Sequence, residues 1–187
     1  MDTALRLATR IEGHPDNVAP CLLGGFTIAW MDDDTVAHAV RLEPLPGVHP
    51  MIFLPATRGL TAHARAALPA TVPHRDAAAN AGRAALFVHA LTVAPDLLYA
   101  ATEDRLHQNY RAPGMPETAK LVEQLRSRGF AAVVSGAGPS VLALVEKPAN
   151  VPDTPGWTRL TPPCDAVGAE GEVDSNRASR GSASSVS

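Results

Sequence analysis

Apolar and polar positions change their period several times along this chain. Over residues 2–12, Leu5, Ala8 and Ile11 recur at helical spacing, so a helix is expected to open almost at the first residue. A turn over Gly13 to Asp16 leads to the β-rich run Gly24-Gly25-Phe26-Thr27-Ile28-Ala29-Trp30. The acidic Asp32-Asp33-Asp34 marks a further turn before a second strand near residues 36–42, and the pair reads as a hairpin. Pro44, Pro46 and Pro50 then punctuate the chain before Met51-Ile52-Phe53-Leu54, a short apolar run with the character of a buried strand. A domain boundary belongs there.

From residue 60 to about 128 the period is helical, and breaks at Pro69, Pro73, Pro95 and the cluster Pro113 to Pro116 divide it into four helices. In the clearest, over 75–93, Ala77, Ala81, Ala84, Val88 and Leu91 predict one apolar face. Another starts at Pro116, carries Glu117 near its positive end and Arg126 and Arg128 near its negative end, and stops at Gly129. Residues 130–134 and 141–145 are apolar, β-rich runs around a glycine turn, and a last strand is expected over 157–160. Past 166 the composition of Gly, Ser, Glu and Ala is too poor in apolar side chains to offset ordering entropy, which predicts a disordered tail. The fold class is α+β, an antiparallel sheet with helices packed on one face.

Composition narrows the partners. Among 187 residues, 45% are apolar and the net charge is -3, as in a globular protein with a sizeable core. The 16 basic and 19 acidic residues are interspersed, which excludes the clustered cationic face that a phosphate backbone requires. Cys21 and Cys164 lie far apart without ligand spacing, so neither a zinc site nor a disulfide framework is expected. No apolar run approaches the roughly 18 residues of a membrane span, and a cytoplasmic location with a small metabolite as partner is the expectation.

Two stretches could carry chemistry. Glu12-Gly13-His14-Pro15-Asp16-Asn17 places four hydrogen-bonding side chains in six residues between a helix and a glycine-flanked strand. A plain turn, capped by Asp16 or Asn17 and bent by Pro15, would use the same residues. Ser135-Gly136-Ala137-Gly138-Pro139-Ser140 lies between two strands, where missing side chains admit a ligand or another backbone. It lacks the third glycine of a dinucleotide fingerprint and the Lys-Ser/Thr pair of a Walker A loop, and a simple hairpin turn remains open.

Taken in order, helix, EGHPDN, VAPCLLGGFTIAW, a helical middle and VVSGAGPSVLALV resemble homoserine kinases of the GHMP superfamily over residues 1–165. PATRGLTAHARAALP at Pro55 to Pro69 and EDRLHQNYRAPGMP at Glu103 to Pro116 resemble that family's two substrate-facing segments, each delivering an arginine. The resemblance implies a ferredoxin-like GHMP C-terminal domain over 47–165, preceded by a remnant of the N-terminal domain over 1–46 and followed by the tail over 166–187. It implies ATP-dependent phosphorylation of the L-homoserine hydroxyl in threonine biosynthesis, with Mg2+ bridging the ATP phosphates.

The residue roles follow from the same resemblance. Arg65 and Arg111 would clamp the substrate carboxylate with planar guanidinium forks, assisted by Thr61. Asp16 and Asn17, the catalytic pair, would hold the hydroxyl and amino groups, with His14 a further contact. Gly136 and Gly138 would form the floor of the site through backbone N–H groups. Glu12 is the expected Mg2+ ligand, although an alternative register brings Arg10 to that position, where the role would fail.

The family's PxxxGLGSSA loop, whose backbone cradles ATP phosphates, has no counterpart here, so the residues that hold ATP are unknown. The chain is therefore expected to be the C-terminal two-thirds of such an enzyme, inactive alone and poorly soluble, with a homodimer open to the whole protein. A non-catalytic remnant that binds an amino acid or a partner protein is the alternative.

Overall fold

The computed structural model describes residues 2–33, 36–56, 64, 66–165 and 167–169. The chain divides into two compact units, one formed by residues 1–41 with 165–187 and the other by residues 42–164.

The first unit opens with α1 (Asp2–Glu12), followed by α2 (Val18–Leu23) and the strands β1 (Phe26–Asp32) and β2 (Val36–Leu42), which pair as a two-stranded sheet. Its small core joins Leu5, Ala19 and Ala37, with Val18, Leu22, Ala29 and Ala39 packed around them. The buried face of α1 runs through Leu5 and Thr9, while Ile11 is 82% exposed. Two steps of three residues carry a side chain about 120° away from its starting direction, whereas a step of four nearly preserves it. The spacing from Leu5 through Ala8 to Ile11 therefore drifts off the face.

The helix α2 was not anticipated between the His14 turn and the first strand. It is a single short segment with Pro20 near its start, and its apolar run Val18 to Leu23 has no amphipathic period to announce it. Gly24, at φ +64, ends it. There the backbone of residues 165 and 167–169 approaches closely: Gly25 N–H donates to Asp165 O at 2.6 Å and Ala169 N–H to Cys21 O at 2.8 Å. A Cβ on Gly24 would lie 2.6 Å from the Gly168 nitrogen, so both backbones rely on missing side chains. Within the expected tail, residues 167–169 are thus tied to α2, and residues 170–187 lie outside the described residues.

In the second unit β3 (His49–Pro55), β4 (Ala131–Val134), β5 (Val141–Val145) and β6 (Trp157–Leu160) form a four-stranded sheet in the order β4-β5-β3-β6. Its three pairings, β4 with β5, β5 with β3 and β3 with β6, are antiparallel. The register sets Met51 opposite Ala143 and Phe53 opposite Val141, so these four side chains share one face. That face is covered by Leu121 and Leu125 of α6 (Pro116–Ser127), and the cluster continues to Ala132, Val145 and Val151. This is the α+β arrangement expected, and the strands fall where the apolar runs place them.

The remaining helices are α3 (His74–Thr92), α4 (Leu98–Ala101) and α5 (Gln108–Arg111). The expected alanine face of α3 is not the packed one, since Ala81 and Ala84 are exposed. The inward side instead runs through Asn80, Arg83, Phe87 and Leu91, because Asn80 and Arg83 reach acidic partners in the 103–104 segment. At the end of α6, Arg126 donates to the carbonyls of Tyr99, Thr102 and Ala132 and lies 4.4 Å from the centre of the Tyr99 ring. It does more than complement a helix dipole: it ties α4 to the sheet edge.

Candidate active site

In the first unit the chain leaves α1 through Gly13, whose φ of +95 allows its N–H to turn back to Thr9 O at 2.7 Å. Pro15 is buried, and its carbonyl accepts the Ala19 N–H at 2.8 Å as α2 begins. Between them the His14 ring nitrogen Nδ1 pairs with Asp16 Oδ1. The same oxygen accepts the Asn17 backbone N–H at 2.9 Å. The structure therefore brings His14, Asp16 and Asn17 together.

Asn17 occupies the N-cap position of α2, yet its side chain makes no capping hydrogen bond. The amide is exposed and unspent by the turn that holds it. The plain-turn reading allowed Asp16 or Asn17 as the cap, and it is Asp16 that takes the backbone N–H while the Asn17 amide does not cap the helix. Glu12 ends α1 and is exposed. Among the described residues no three His, Cys, Asp or Glu side chains cluster as a metal site. A Mg2+ shared with nucleotide phosphates takes only one or two protein carboxylates, and a single exposed glutamate fits that modest share.

In the second unit the candidate residues gather on α5 and the glycine loop between β4 and β5. Arg111 closes α5 and donates through Nε to Ala64 O at 3.1 Å and through Nη1 to Gly136 O at 3.1 Å. A guanidinium has five N–H groups. Two are used to orient it, and among the described residues Nη2 carries no hydrogen bond. The loop turns at Gly136 (φ +58) and Gly138 (φ +85), and the Gly138–Pro139 peptide bond is cis. Thr118 Oγ1 donates to Pro139 O at 2.8 Å, and Ser135 N–H donates to Ser140 O at 2.8 Å across the loop's base. Arg111, Gly136 and Gly138 thus belong to one constellation, while Thr61 and Arg65 lie outside the described residues.

Asp104, which the sequence reading did not single out, organises the approach to Arg111. Its Oδ2 accepts the backbone N–H groups of His107 (2.9 Å) and Gln108 (2.6 Å). Its Oδ1 accepts from Asn80 Nδ2 (2.9 Å), His107 Nδ1 (3.0 Å) and Leu106 N (3.2 Å). Burial pushes the carboxyl pKa up, but the N–H of Gln108 with the Asn80 and His107 bonds outweighs it, bringing the pKa down to about 2. An aspartate four residues before the glutamine of a short polar helix is the one signal that could have revealed it. Nothing in the sequence marks Asn80, 24 residues away. Beside this network lies an open cleft of about 530 Å³ with Met115, Ala119, Val122 and Val134 among its walls and Glu103, Glu123 and Arg126 at its polar edge.

Comparison with known proteins agrees with this architecture. The family described as GHMP kinases C terminal matches residues 77–153, which covers α3 through β5 and gives the class of the second unit. The homoserine kinase of Streptomyces avermitilis is 63% identical over 147 residues, covering 78% of this chain and 48% of that protein. That of Clavibacter michiganensis is 56% identical over 147 residues, covering 79% of this chain and 46% of that protein. Among solved structures, a homoserine kinase from Cytophaga hutchinsonii superposes with a TM-score of 0.66 at 27% identity, over 72% of this chain and 42% of that one. The chain spans about half the length of the curated relatives it matches. Over about three quarters of its length the chain is thus similar to homoserine kinases, and its second unit carries the match to the C-terminal family of GHMP kinases. The resemblance in the sequence is borne out.

Proposed function

We propose that the protein to which this chain belongs transfers the γ-phosphoryl group of ATP to the hydroxyl of L-homoserine, giving O-phospho-L-homoserine on the route to threonine. The observation that carries this reading is the Arg111 guanidinium. Two backbone carbonyls fix its plane, and among the described residues its other three N–H groups meet no partner, which leaves them for a ligand. Such a fork suits a carboxylate, which an amino acid supplies and most alcohols phosphorylated by small-molecule kinases do not. The identity to homoserine kinases supports the choice of amino acid.

In this reading Arg111, with Arg65 and Thr61, holds the substrate carboxylate. Asp16 and Asn17, assisted by His14, hold the amino and hydroxyl groups, and the backbone of Gly136 and Gly138 forms the floor. Phosphoryl transfer depends chiefly on alignment and charge stabilisation. Asp16 accordingly orients the hydroxyl, and no strong base is required of it. Glu12 would hold Mg2+, which when bound neutralises phosphate charge. Residues 1–46 are read as part of the N-terminal domain of such a kinase and 47–165 as its C-terminal domain. The site is read as working in the cytoplasm.

The test is homoserine-dependent ADP release from Mg-ATP, measured on this chain and on a form extended N-terminally to the length of its relatives. Turnover by the extended form is expected, with Arg111→Ala raising KM for homoserine about 100-fold, the loss of a charge-assisted contact of roughly 2–3 kcal/mol. Absence of homoserine-dependent ADP from both forms would sink the reading. Homoserine binding by this chain without turnover in either form would favour an amino-acid-binding protein instead.

A further inference from the structure

We propose that Asp104 is a positioning residue for Arg111, acting through α5 with Asn80 as its anchor on α3. The proposal rests on the reading of Arg111 as the carboxylate contact. A helix of four residues has no stability of its own, because nucleating a turn costs more than one or two hydrogen bonds return. The direction in which α5 presents Arg111 must therefore be set from outside, and the structure shows where.

At the start of the turn, Asp104 accepts three consecutive backbone N–H groups, those of Leu106, His107 and Gln108. A helix cap needs one or two. The carboxylate is itself held from α3, where Asn80 donates Nδ2 to Asp104 and accepts the Arg105 N–H through Oδ1 at 2.8 Å. One turn further along α3, Arg83 grips Glu103 at 2.7 Å, fixing the residue before Asp104. At the other end Gln108 Oε1 accepts the Val134 N–H at 2.7 Å, which ties α5 to the end of β4 just before the glycine loop. Arg111 then reaches the Gly136 carbonyl in that same loop.

Asp104 has a side chain only 14% exposed and spends both oxygens on these bonds, so it makes no direct claim on a substrate. What it controls is the frame. The Asn80–Asp104 pair references α5 to the 19-residue α3, and the Gln108–Val134 bond references it to the sheet. With the first link loosened, the turn keeps one tether, and the guanidinium samples orientations that no longer match a planar carboxylate.

The test uses Asp104→Asn, which removes one accepting oxygen at constant size, and Asn80→Ala, which cuts the anchor and leaves the cap in place should the first variant fold poorly. Solvent exchange of the Arg111 Nε–H proton, followed by NMR on this chain, reports the orientation directly. Both variants are expected to speed it at least tenfold while backbone amides in β3 and β5 are unaffected. In the form that turns over homoserine, Asp104→Asn is expected to raise KM for homoserine about tenfold, leaving kcat and KM for ATP within about twofold. In the Arg111→Ala background the same change should have no further effect. Unchanged Nε–H exchange in both variants overturns the proposal, as does a tenfold KM effect that persists without Arg111. If Arg111→Ala itself leaves KM unaltered, the carboxylate reading fails, and the exchange rates still decide whether Asp104 sets the arginine.

Discussion

Gly138 offers a quantitative test of how tightly the glycine loop is built. At φ +85 it lies where side chains are rarely tolerated, and a Cβ there would fall 2.6 Å from Met115 Sδ and 3.1 Å from Val134 Cγ1. Gly136 has φ +58 and open space around its hypothetical Cβ, so it carries the backbone term alone. A left-handed conformation costs a non-glycine residue about 1–2 kcal/mol. Moving the Met115 side chain off its preferred rotamer adds about 0.5–1.5 kcal/mol, because the thioether is flexible and only its far end is displaced. Gly138→Ala should therefore destabilise by roughly 2–3 kcal/mol and Gly136→Ala by roughly 1–2 kcal/mol. Most of the difference belongs to Met115, with a smaller share from Val134. In a Met115→Ala background the cost of Gly138→Ala should fall most of the way to that of Gly136→Ala. Urea unfolding followed by Trp157 fluorescence, in a Trp30→Phe background, reads these differences within the second unit. Equal costs for the two glycines, or a Gly138→Ala penalty that ignores Met115, would refute the steric argument.

Three further outcomes are expected. Leu125, 1% exposed beneath the sheet, should cost about 2–5 kcal/mol when truncated to alanine, visible as a lower urea midpoint at unchanged slope. Asp104 has its pKa lowered from 3.8 to about 2, so its contribution is fully present above 3.8 and is lost as pH falls through about 2. The stability gap between the parent and Asp104→Asn should accordingly hold near ~2 kcal/mol at neutral pH and shrink in acid urea titrations. A gap that widened below pH 4 would contradict the assignment. Gly168→Ala would drive a Cβ to 2.5 Å from the Leu22 carbonyl oxygen, and backbone atoms cannot step aside as a methionine can. Amide exchange at Gly25 and Ala169 should accelerate strongly while that of β5 remains unchanged.

Three strands of the second unit, β3, β4 and β5, were legible because each is a short apolar run with proline or glycine nearby, while β6, Trp157 to Leu160, is mixed and mostly exposed at the sheet's edge. The helix from Pro116 was equally plain, with proline at its start and glycine past its end. The inward face of α3 was not legible. Alanines suggest packing by their size alone, but here polar Asn80 and Arg83 turn inward because acidic partners await them 24 and 20 positions later in the chain. Such pairings have no local signature. The same holds for the candidate site. HPDN and the glycine loop stand out as clusters of hydrogen-bonding or missing side chains, whereas the bonds that aim Arg111 arise from Ala64, Gln108 and Gly136 only once the chain has folded.

The first unit is discontinuous: the chain leaves it at Arg41 and returns at Asp165. Its closure at Gly24 and Gly25 consequently waits on residues that emerge late in synthesis. An unstructured intervening segment would have to be gathered in at an entropic cost that grows with the logarithm of its length. The second unit, with its own sheet and core, removes much of that cost by folding first. During translation α1, α2 and their hairpin should thus remain protease-sensitive after β3 to β5 have become protected, and acquire protection only when the 165–169 segment has cleared the ribosome.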